Sequence, residues 1–164
     1  MYAYKTQLGW IIETEQGCYQ LPEKVWDSWM KATQIVPDAL AIASLYEPIH
    51  LPDENKWLAP IAQQELWACG VTYLRSREGR KEESEKSGAA DFYSKVYEAE
   101  RPEIFFKSNP ARIRCHRENV RIRKDSDWNV PEPELTLVVN AAGDIIGYTI
   151  GNDMSSRSIE GENP

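Results

Sequence analysis

The feature that most constrains the fold is a pair of strand-like segments on either side of a short turn. Residues 134–140 and 145–151 are both rich in β-branched side chains, and Ala141-Ala142-Gly143-Asp144 between them has the composition of a turn. This pattern predicts an antiparallel β-hairpin. Directly opposed residues share a face of such a hairpin, and side chains alternate along each strand. A turn at residues 141–144 therefore fixes which side chains lie together.

The predicted hairpin has one apolar face and one polar face. We expect the apolar face to pack in the core, and its residues are Leu135, Leu137, Val139, Ile146, Tyr148 and Ile150. The polar face carries Glu132 and Glu134 on one strand and Asp153 on the other, with Gly151 opposite Glu134. Three carboxylates are thus predicted to gather at one end of the polar face.

Such a cluster of acids allows two interpretations. Opposed like charges destabilise a sheet, and a divalent cation would relieve their repulsion. Oxygen ligands favour Mg²⁺, Mn²⁺ or Ca²⁺, and Gly151 would leave space for an ion, water or substrate. The alternative is a solvated acidic face, because a one-residue change of register would separate the acids. The pattern alone leaves both interpretations open.

Composition restricts the partners of the chain. It has 19 Lys and Arg against 26 Asp and Glu, a net charge of −7, which argues against a nucleic-acid partner. Its two histidines, His50 and His116, exclude a histidine-rich zinc site. Three widely spaced cysteines without a signal peptide favour reduced thiols in the cytoplasm. The longest apolar run, residues 39–46, is too short to span a membrane.

The remaining patterns predict an α+β fold. A helix from Pro22 to Met30 carries an apolar stripe typical of core packing, and a short helix follows Pro37. Prolines punctuate residues 47–60, so we place a small N-terminal α/β domain at 1–60 and a second domain at 61–164. The charged run 75–88 indicates a solvated helix or loop, or a lid over a site. Further elements are predicted as strands at 2–12, 17–21, 65–73, 104–107 and 113–122 and a helix from about 89 to 100.

Several motifs resemble those of the fumarylacetoacetate hydrolase superfamily. Glu132-Pro133-Glu134 matches its E-x-E pair, and residues 147–157 (GYTIGNDMSSR) are similar to its pattern G-[YF]-[TS]-x-x-N-D-x-[ST]-x-R. Segments 67–73 and 102–107 match as well, and the resemblance covers residues 58–164. It implies that residues 61–164 form part of the family's mixed β-roll.

The resemblance also implies a metal site and its chemistry. In the family, the E-x-E pair and the later Asp hold one divalent cation, usually Mg²⁺, and the matching residues are Glu132, Glu134 and Asp153. The cation chelates a small 2-oxo acid substrate and polarises it, which stabilises an enolate. Lys107 matches a lysine near the substrate oxyanion; without the motif it would be an ordinary surface charge.

The chain departs from the family's C–C hydrolases in one motif. Those enzymes carry G-x-N-Y-x-x-H, whereas this chain has Thr72 in place of Asn and Ser76 in place of His. This run and residues 158–164 are more similar to the sugar-acid branch, of the 2-keto-3-deoxy-D-arabinonate dehydratase type. The implied reaction is loss of water from a 2-keto-3-deoxy sugar acid, in which a base removes a C3 proton and an acid protonates the leaving hydroxyl.

The same resemblance suggests residues around the substrate. Glu103 is a candidate acid or base, and Tyr73, Ser76 and Arg77 are candidate substrate contacts. Ordinary solvated positions on a charged loop are the alternative for Ser76 and Arg77.

Two other functions are kept open at this point. One is hydrolysis of an acylpyruvate C–C bond, and the other is metal binding by an inactive fragment. The family's catalytic domain continues for about as long again beyond this motif, so we expect a C-terminally truncated piece. The full-length protein is expected to be a homo-oligomer, as family members usually are.

Overall fold

A computed structural model describes residues 1–31, 36–84 and 90–160 of the chain. Its strands are β1 (Tyr2–Thr6), β2 (Gly9–Thr14), β3 (Gly17–Gln20), β4 (Trp57–Leu58), β5 (Leu66–Cys69), β6 (Ile104–Ser108), β7 (Asn129–Val130), β8 (Pro133–Val139), β9 (Ile145–Asn152) and β10 (Ser155–Ser156). Its helices are α1 (Glu23–Trp29), α2 (Val36–Ala43), α3 (Leu74–Ser84), α4 (Ala90–Glu98) and α5 (Arg157–Glu160). The predicted α+β class is confirmed.

The chain divides into two compact units that are each discontinuous in sequence. The first unit comprises Met1–Ala62, Ile113–Val120 and Pro133–Gly151. The second comprises Gln63–Arg112, Arg121–Glu132 and Asn152–Pro164. The division into domains at 1–60 and 61–164 stays a prediction.

A four-stranded antiparallel sheet in the order β3-β2-β1-β4 organises the first unit. The single strand predicted at 2–12 is wrong, because a turn separates β1 from β2. Thr6 Oγ1 closes that turn by donating to Gly9 O at 2.9 Å and accepting from Leu8 N at 3.1 Å. Gly9 has a φ of +108°, a backbone conformation that favours glycine. The turn therefore depends on Thr6 and Gly9 together.

Helix α1 supplies the aromatic centre of the core. Pro22 caps its N-terminus, and Trp26 and Trp29 are buried, as the apolar stripe predicts. The rings of Trp10 and Trp26 stack with centroids 3.5 Å apart and planes 10° apart. The full cluster of buried residues is Trp10, Ile12, Tyr19, Leu21, Trp26, Trp29, Ala39 and Ala43.

The pairing of Tyr4 with Glu13 predicts that this unit loses stability at alkaline pH. Tyr4 donates its phenolic proton to Glu13 Oε2 at 2.7 Å. Burial raises the pKa of Tyr4 from 10.0 to about 12, and the hydrogen bond to Glu13 and its charge add to the rise. A raised folded-state pKa contributes stability below the unfolded-state pKa and loses it as pH rises through the folded-state pKa. We therefore expect the free energy of unfolding to fall between these two pKa values.

Urea denaturation at successive pH values checks this expectation. Tyr4→Phe removes the titrating proton and keeps the ring, so its free energy of unfolding should fall less steeply over the same interval. Equal slopes for the wild type and Tyr4→Phe would contradict the role assigned to the phenol.

The predicted hairpin is present as β8 and β9. Asn140 N donates to Asp144 O at 3.0 Å, and Asn140 Oδ1 accepts from the backbone of Asp144 at 2.8 Å. A Cβ built on Gly147 lies 3.9 Å from the Cβ of Val138, so these two residues face each other. The Val138–Gly147 pair therefore agrees with the predicted register. At the other end, a Cβ built on Gly151 would lie 2.5 Å from Thr136 Oγ1, so the Thr136 side chain occupies the space that we expected to be open beside Gly151.

The expectation that the apolar face of this hairpin is buried is wrong. Leu135 is 71% exposed, Tyr148 66% and Ile150 83%. The hairpin instead contacts the rest of its unit through its turn, where Ala141 N donates to Met30 O at 2.9 Å. The apolar face is consequently left in contact with solvent in the described structure.

In the second unit, β5 and β6 form an antiparallel pair, which confirms strands within 65–73 and 104–107. Helix α4 confirms the helix predicted from about residue 89 to 100. The charged run folds into α3 as far as Ser84, and its remaining positions 85–88 lie outside the described residues. No helix in the described ranges is long and apolar enough to span a bilayer.

The strand predicted at 113–122 is wrong. Glu118 N donates to Cys115 O at 3.1 Å, and the Glu118 carboxylate accepts from Cys115 N at 2.7 Å. Arg117 has a φ of +63°, which places it in the left-handed region. These contacts close a turn in the middle of a segment whose alternating pattern had indicated an extended strand.

Candidate metal centre

Glu132 and Asp153 face each other directly beyond the hairpin. Glu132 immediately precedes β8, Asp153 immediately follows β9, and Asp153 N donates to Glu132 O at 2.8 Å. Glu132 N in turn donates to Asn152 Oδ1 at 2.9 Å. The structure thus brings together two of the three predicted metal ligands, in the opposition that the register predicts.

The Glu132 carboxylate is held by arginine and serine side chains. Arg157 contacts Glu132 Oε1 at 2.6 Å, and Ser155 Oγ donates to Glu132 Oε2 at 3.0 Å. Arg80 also reaches Glu132 Oε2, at 3.4 Å. The side chains of Glu132 and Arg157 are only 17% and 5% exposed, and buried charges are tolerated when they are paired in this way.

Asp153 forms an ion pair with Lys107. Lys107 lies in β6, and its Nζ also donates to Met154 O at 3.4 Å. The Asp153 side chain is 12% exposed, and its Oδ1 is the atom that contacts the Lys107 ammonium. The structure therefore places the candidate lysine against a predicted metal ligand.

Glu160 extends the same network of charges. Arg80 contacts Glu160 Oε2 at 3.1 Å, and Arg157 pairs with the same oxygen. Burial alone would raise the pKa of Glu160, but hydrogen bonds and charge from Arg80 and Arg157 lower it overall. Glu160 is therefore held as a carboxylate that balances the two arginines.

Glu134, the remaining predicted ligand, lies half-buried in β8 of the first unit. In the described ranges, no three His, Cys, Asp or Glu side chains are arranged to hold a metal ion. The three-carboxylate site thus stays a prediction. The donor chemistry fits a hard cation, since Glu132 and Asp153 offer carboxylate oxygens.

Two of the predicted substrate residues lie at the N-terminal end of α3. Tyr73 is exposed at the start of the helix, and Arg77 contacts Glu98 at 3.9 Å and lies 4.7 Å from the centre of the Tyr97 ring. Arg77 therefore attaches α3 to α4 in this structure. The side chain of Ser76 lies outside the described part of the chain.

Glu103 is exposed, and its backbone is tied to the motif that contains Tyr73. Gly70 N donates to Glu103 O at 3.0 Å. A Cβ at Gly70 would collide with the Glu103 carboxylate, so glycine lets this side chain lie against the backbone. Segments 67–73 and 102–107, which both resemble motifs of the family, are thus neighbours in space.

Four residues of the network were not predicted as site residues, namely Arg80, Ser155, Arg157 and Glu160. Ser155 and Arg157 fall inside the motif at 147–157, which is the sequence signal that could have found them. Arg80 lies in a run of charges that resembles any solvated helix. Its contact with Glu132 joins residues 52 positions apart, which no local pattern reveals.

Opposed carboxylates and a lysine at the end of a hairpin are the kind of groups that metal-dependent enzymes use. No protein-family model matches the chain. The chain does match two curated proteins. It is 52% identical over 105 residues to the probable 2-keto-3-deoxyxylonate dehydratase of Haloferax volcanii, and 47% identical over 106 residues to the 2-dehydro-3-deoxy-D-arabinonate dehydratase of Saccharolobus solfataricus.

Solved structures of dehydratases with similar names also resemble the fold of this chain. A hexagonal crystal form of 2-keto-3-deoxyarabinonate dehydratase superposes with a TM-score of 0.69 and 32% identity, over 99% of this chain. The complex of 2-keto-3-deoxy-D-arabinonate dehydratase with magnesium and 2,5-dioxopentanoate superposes with a TM-score of 0.62 and 28% identity. The chain is therefore similar in sequence and fold to 2-keto-3-deoxy sugar-acid dehydratases, as its motifs predict.

The chain spans only part of these relatives. Each curated alignment covers 64% of this chain but only 35% or 36% of the relative. The structural superpositions cover 59% and 57% of the solved chains. What the complete protein does is accordingly taken up as a proposal.

Proposed function

We propose that the protein containing this chain is a Mg²⁺-dependent dehydratase of a 2-keto-3-deoxy sugar acid. The observation that carries the proposal is the opposition of Glu132 and Asp153 at the hairpin end, with Lys107 on Asp153. The homologous dehydratase complexed with magnesium and 2,5-dioxopentanoate supports both the cation and the class of product.

In this proposal, Glu132, Glu134 and Asp153 hold Mg²⁺, with Mn²⁺ and Ca²⁺ as the alternative ions. When bound, Mg²⁺ would chelate and polarise the 2-oxo acid end of the substrate. Lys107 would donate a hydrogen bond to the substrate oxyanion as negative charge develops there. Arg80, Arg157 and Ser155 would hold Glu132 through the contacts described above.

Glu103 is proposed to transfer the proton between C3 and the leaving hydroxyl, a task suited to a carboxyl group that is exposed in the described structure. One C–H and one C–O bond break, and one water leaves. The carbon skeleton is unchanged and no oxidant or reductant is needed. Tyr73, Ser76 and Arg77 are proposed to contact the hydroxyls or the carboxylate of the substrate.

We further propose that the complete protein is a cytoplasmic homo-oligomer acting in sugar-acid catabolism. The excess of acidic residues supports an enzyme without nucleic-acid or membrane partners. All three cysteines are free thiols, which supports a reducing compartment.

The product distinguishes the reactions that this family performs. We expect the longest natural polypeptide containing this sequence to convert a 2-keto-3-deoxypentonate to a 2-oxo acid semialdehyde when Mg²⁺ is present. Mass spectrometry of the carbonyl-trapped product checks this, with chelator-treated enzyme as the control. Pyruvate and a second acid from an acylpyruvate, with no dehydration of the sugar acid, would instead establish the hydrolase alternative.

A further inference from the structure

Helix α3 contacts the candidate metal centre through the side chain of Arg80. Its guanidinium is 14% exposed and bridges two carboxylates, contacting Glu160 Oε2 at 3.1 Å and Glu132 Oε2 at 3.4 Å. It also lies 5.3 Å from the centre of the Tyr93 ring, within the range of a cation–π contact. Contacts with Glu132, Glu160 and Tyr93 therefore restrict the orientation of this guanidinium.

The contacts of Glu132 show what this restriction accomplishes. Ser155 and Arg80 share Glu132 Oε2, and Arg157 contacts Oε1. An ionised carboxylate offers about four lone-pair directions, so three such partners are compatible with a further bond to a cation. They also fix the plane of the carboxylate, which a ligand side chain needs before it binds a metal.

Arg80 differs from the other two partners of Glu132 in its location. Ser155 and Arg157 follow Asp153 closely in sequence, whereas Arg80 lies in the helix that carries Arg77 and follows Tyr73. The Arg80 contact with Glu132 consequently joins the segment with the candidate substrate residues to a candidate metal ligand.

We propose that Arg80 is a positioning residue, which orients the Glu132 carboxylate for the cation and docks helix α3 on the metal centre through its bridge between Glu132 and Glu160. This inference rests on the proposed function, because it takes Glu132 to be a metal ligand. Residues outside the ligand set that orient a ligand typically contribute about 10- to 100-fold to metal affinity.

The direction in which the cation affinity changes on removal of Arg80 distinguishes a positioning role from simple charge repulsion. Removing a positive charge beside a cation site should strengthen cation binding if the charge acts only through its field. Loss of a positioning contact should weaken it. We expect Arg80→Ala to lower the affinity for Mn²⁺ about tenfold, measured by isothermal titration calorimetry on the metal-free form of the longest natural polypeptide that contains this sequence.

Two further variants control this measurement. Arg75→Ala removes the same charge from an exposed position of α3, where Arg75 pairs only loosely with Glu78 at 3.8 Å, and should leave the affinity unchanged. Arg80→Lys keeps the charge but lacks the planar fork that bridges two carboxylates. It should recover part of the affinity, and it provides a second test if Arg80→Ala does not fold.

Docking of α3 is measured without any metal. Trypsin should cleave after Arg75 or Arg77 several-fold faster in Arg80→Ala than in the wild type, with mass spectrometry identifying the fragments. Unchanged cleavage together with wild-type or increased Mn²⁺ affinity in Arg80→Ala would overturn the inference and leave the proposed function intact. Absence of Mn²⁺ binding by the longest natural polypeptide that contains this sequence would overturn both.

Discussion

Replacing Glu132 by Gln is expected to lower the affinity for Mg²⁺ by at least about tenfold, and with it any metal-dependent dehydration. The amide retains the shape of the side chain but loses the charge and half of the carboxylate oxygens. It also leaves the buried guanidinium of Arg157 without its 2.6 Å counter-charge. Calorimetric titration of Mg²⁺ into the wild type and the variant measures the difference directly.

A matched control separates the ligand from general acidity. Glu100→Gln removes one negative charge from an exposed position of the second unit and should leave the Mg²⁺ affinity within about twofold, since screened surface charges contribute little. Circular dichroism of both variants verifies that they are folded. Equal Mg²⁺ affinities for Glu132→Gln and the wild type would refute the assignment of Glu132 as a ligand.

Replacing Trp29 by Ala is expected to give the largest loss of stability in the first unit. Trp29 is 2% exposed, and its ring lies 6.4 Å from that of Trp26, centroid to centroid. Truncating a buried tryptophan to alanine typically costs about 3–5 kcal/mol, because burial is lost and a cavity remains. Urea denaturation followed by circular dichroism measures this change in the free energy of unfolding.

The controls for Trp29 use a milder change and an exposed position. Trp29→Phe keeps much of the apolar volume and should cost clearly less than Trp29→Ala. Leu45→Ala, at a position 76% exposed, should change the free energy of unfolding by no more than about 0.5 kcal/mol. If Trp29→Ala were as mild as Leu45→Ala, the placement of α1 on the core would be wrong.

Sequence patterns predicted the structure well where neighbouring residues determine it. The hairpin and its register follow from β-branched segments around a turn, and the Asn140 side chain closes that turn locally. The amphipathic stripe of α1 likewise identified Trp26 and Trp29 as core residues. The opposition of Glu132 and Asp153 is a consequence of the same register, so it too was accessible from the sequence.

Tertiary contacts and single side-chain turns account for what the sequence patterns missed. The turn between β1 and β2 depends on one threonine hydroxyl, and the turn at Cys115 overrides an alternating pattern. The apolar hairpin face resembles any buried strand face, because hydrophobic periodicity reports which side chains share a face and not whether anything covers it. Likewise, no periodicity distinguishes Arg80 from the solvated charges around it.

The stacked indoles of Trp10 and Trp26 make the folding of the first unit observable by optical spectroscopy. Transition dipoles at a separation of 3.5 Å couple strongly, so this pair should produce an exciton couplet in the circular dichroism spectrum that disappears when β2 and α1 separate. Trp67 and Trp128, in the second unit, are 54% and 46% exposed and should dominate the red edge of the fluorescence emission. Two optical signals recorded on one unlabelled sample would therefore follow the two units independently during unfolding.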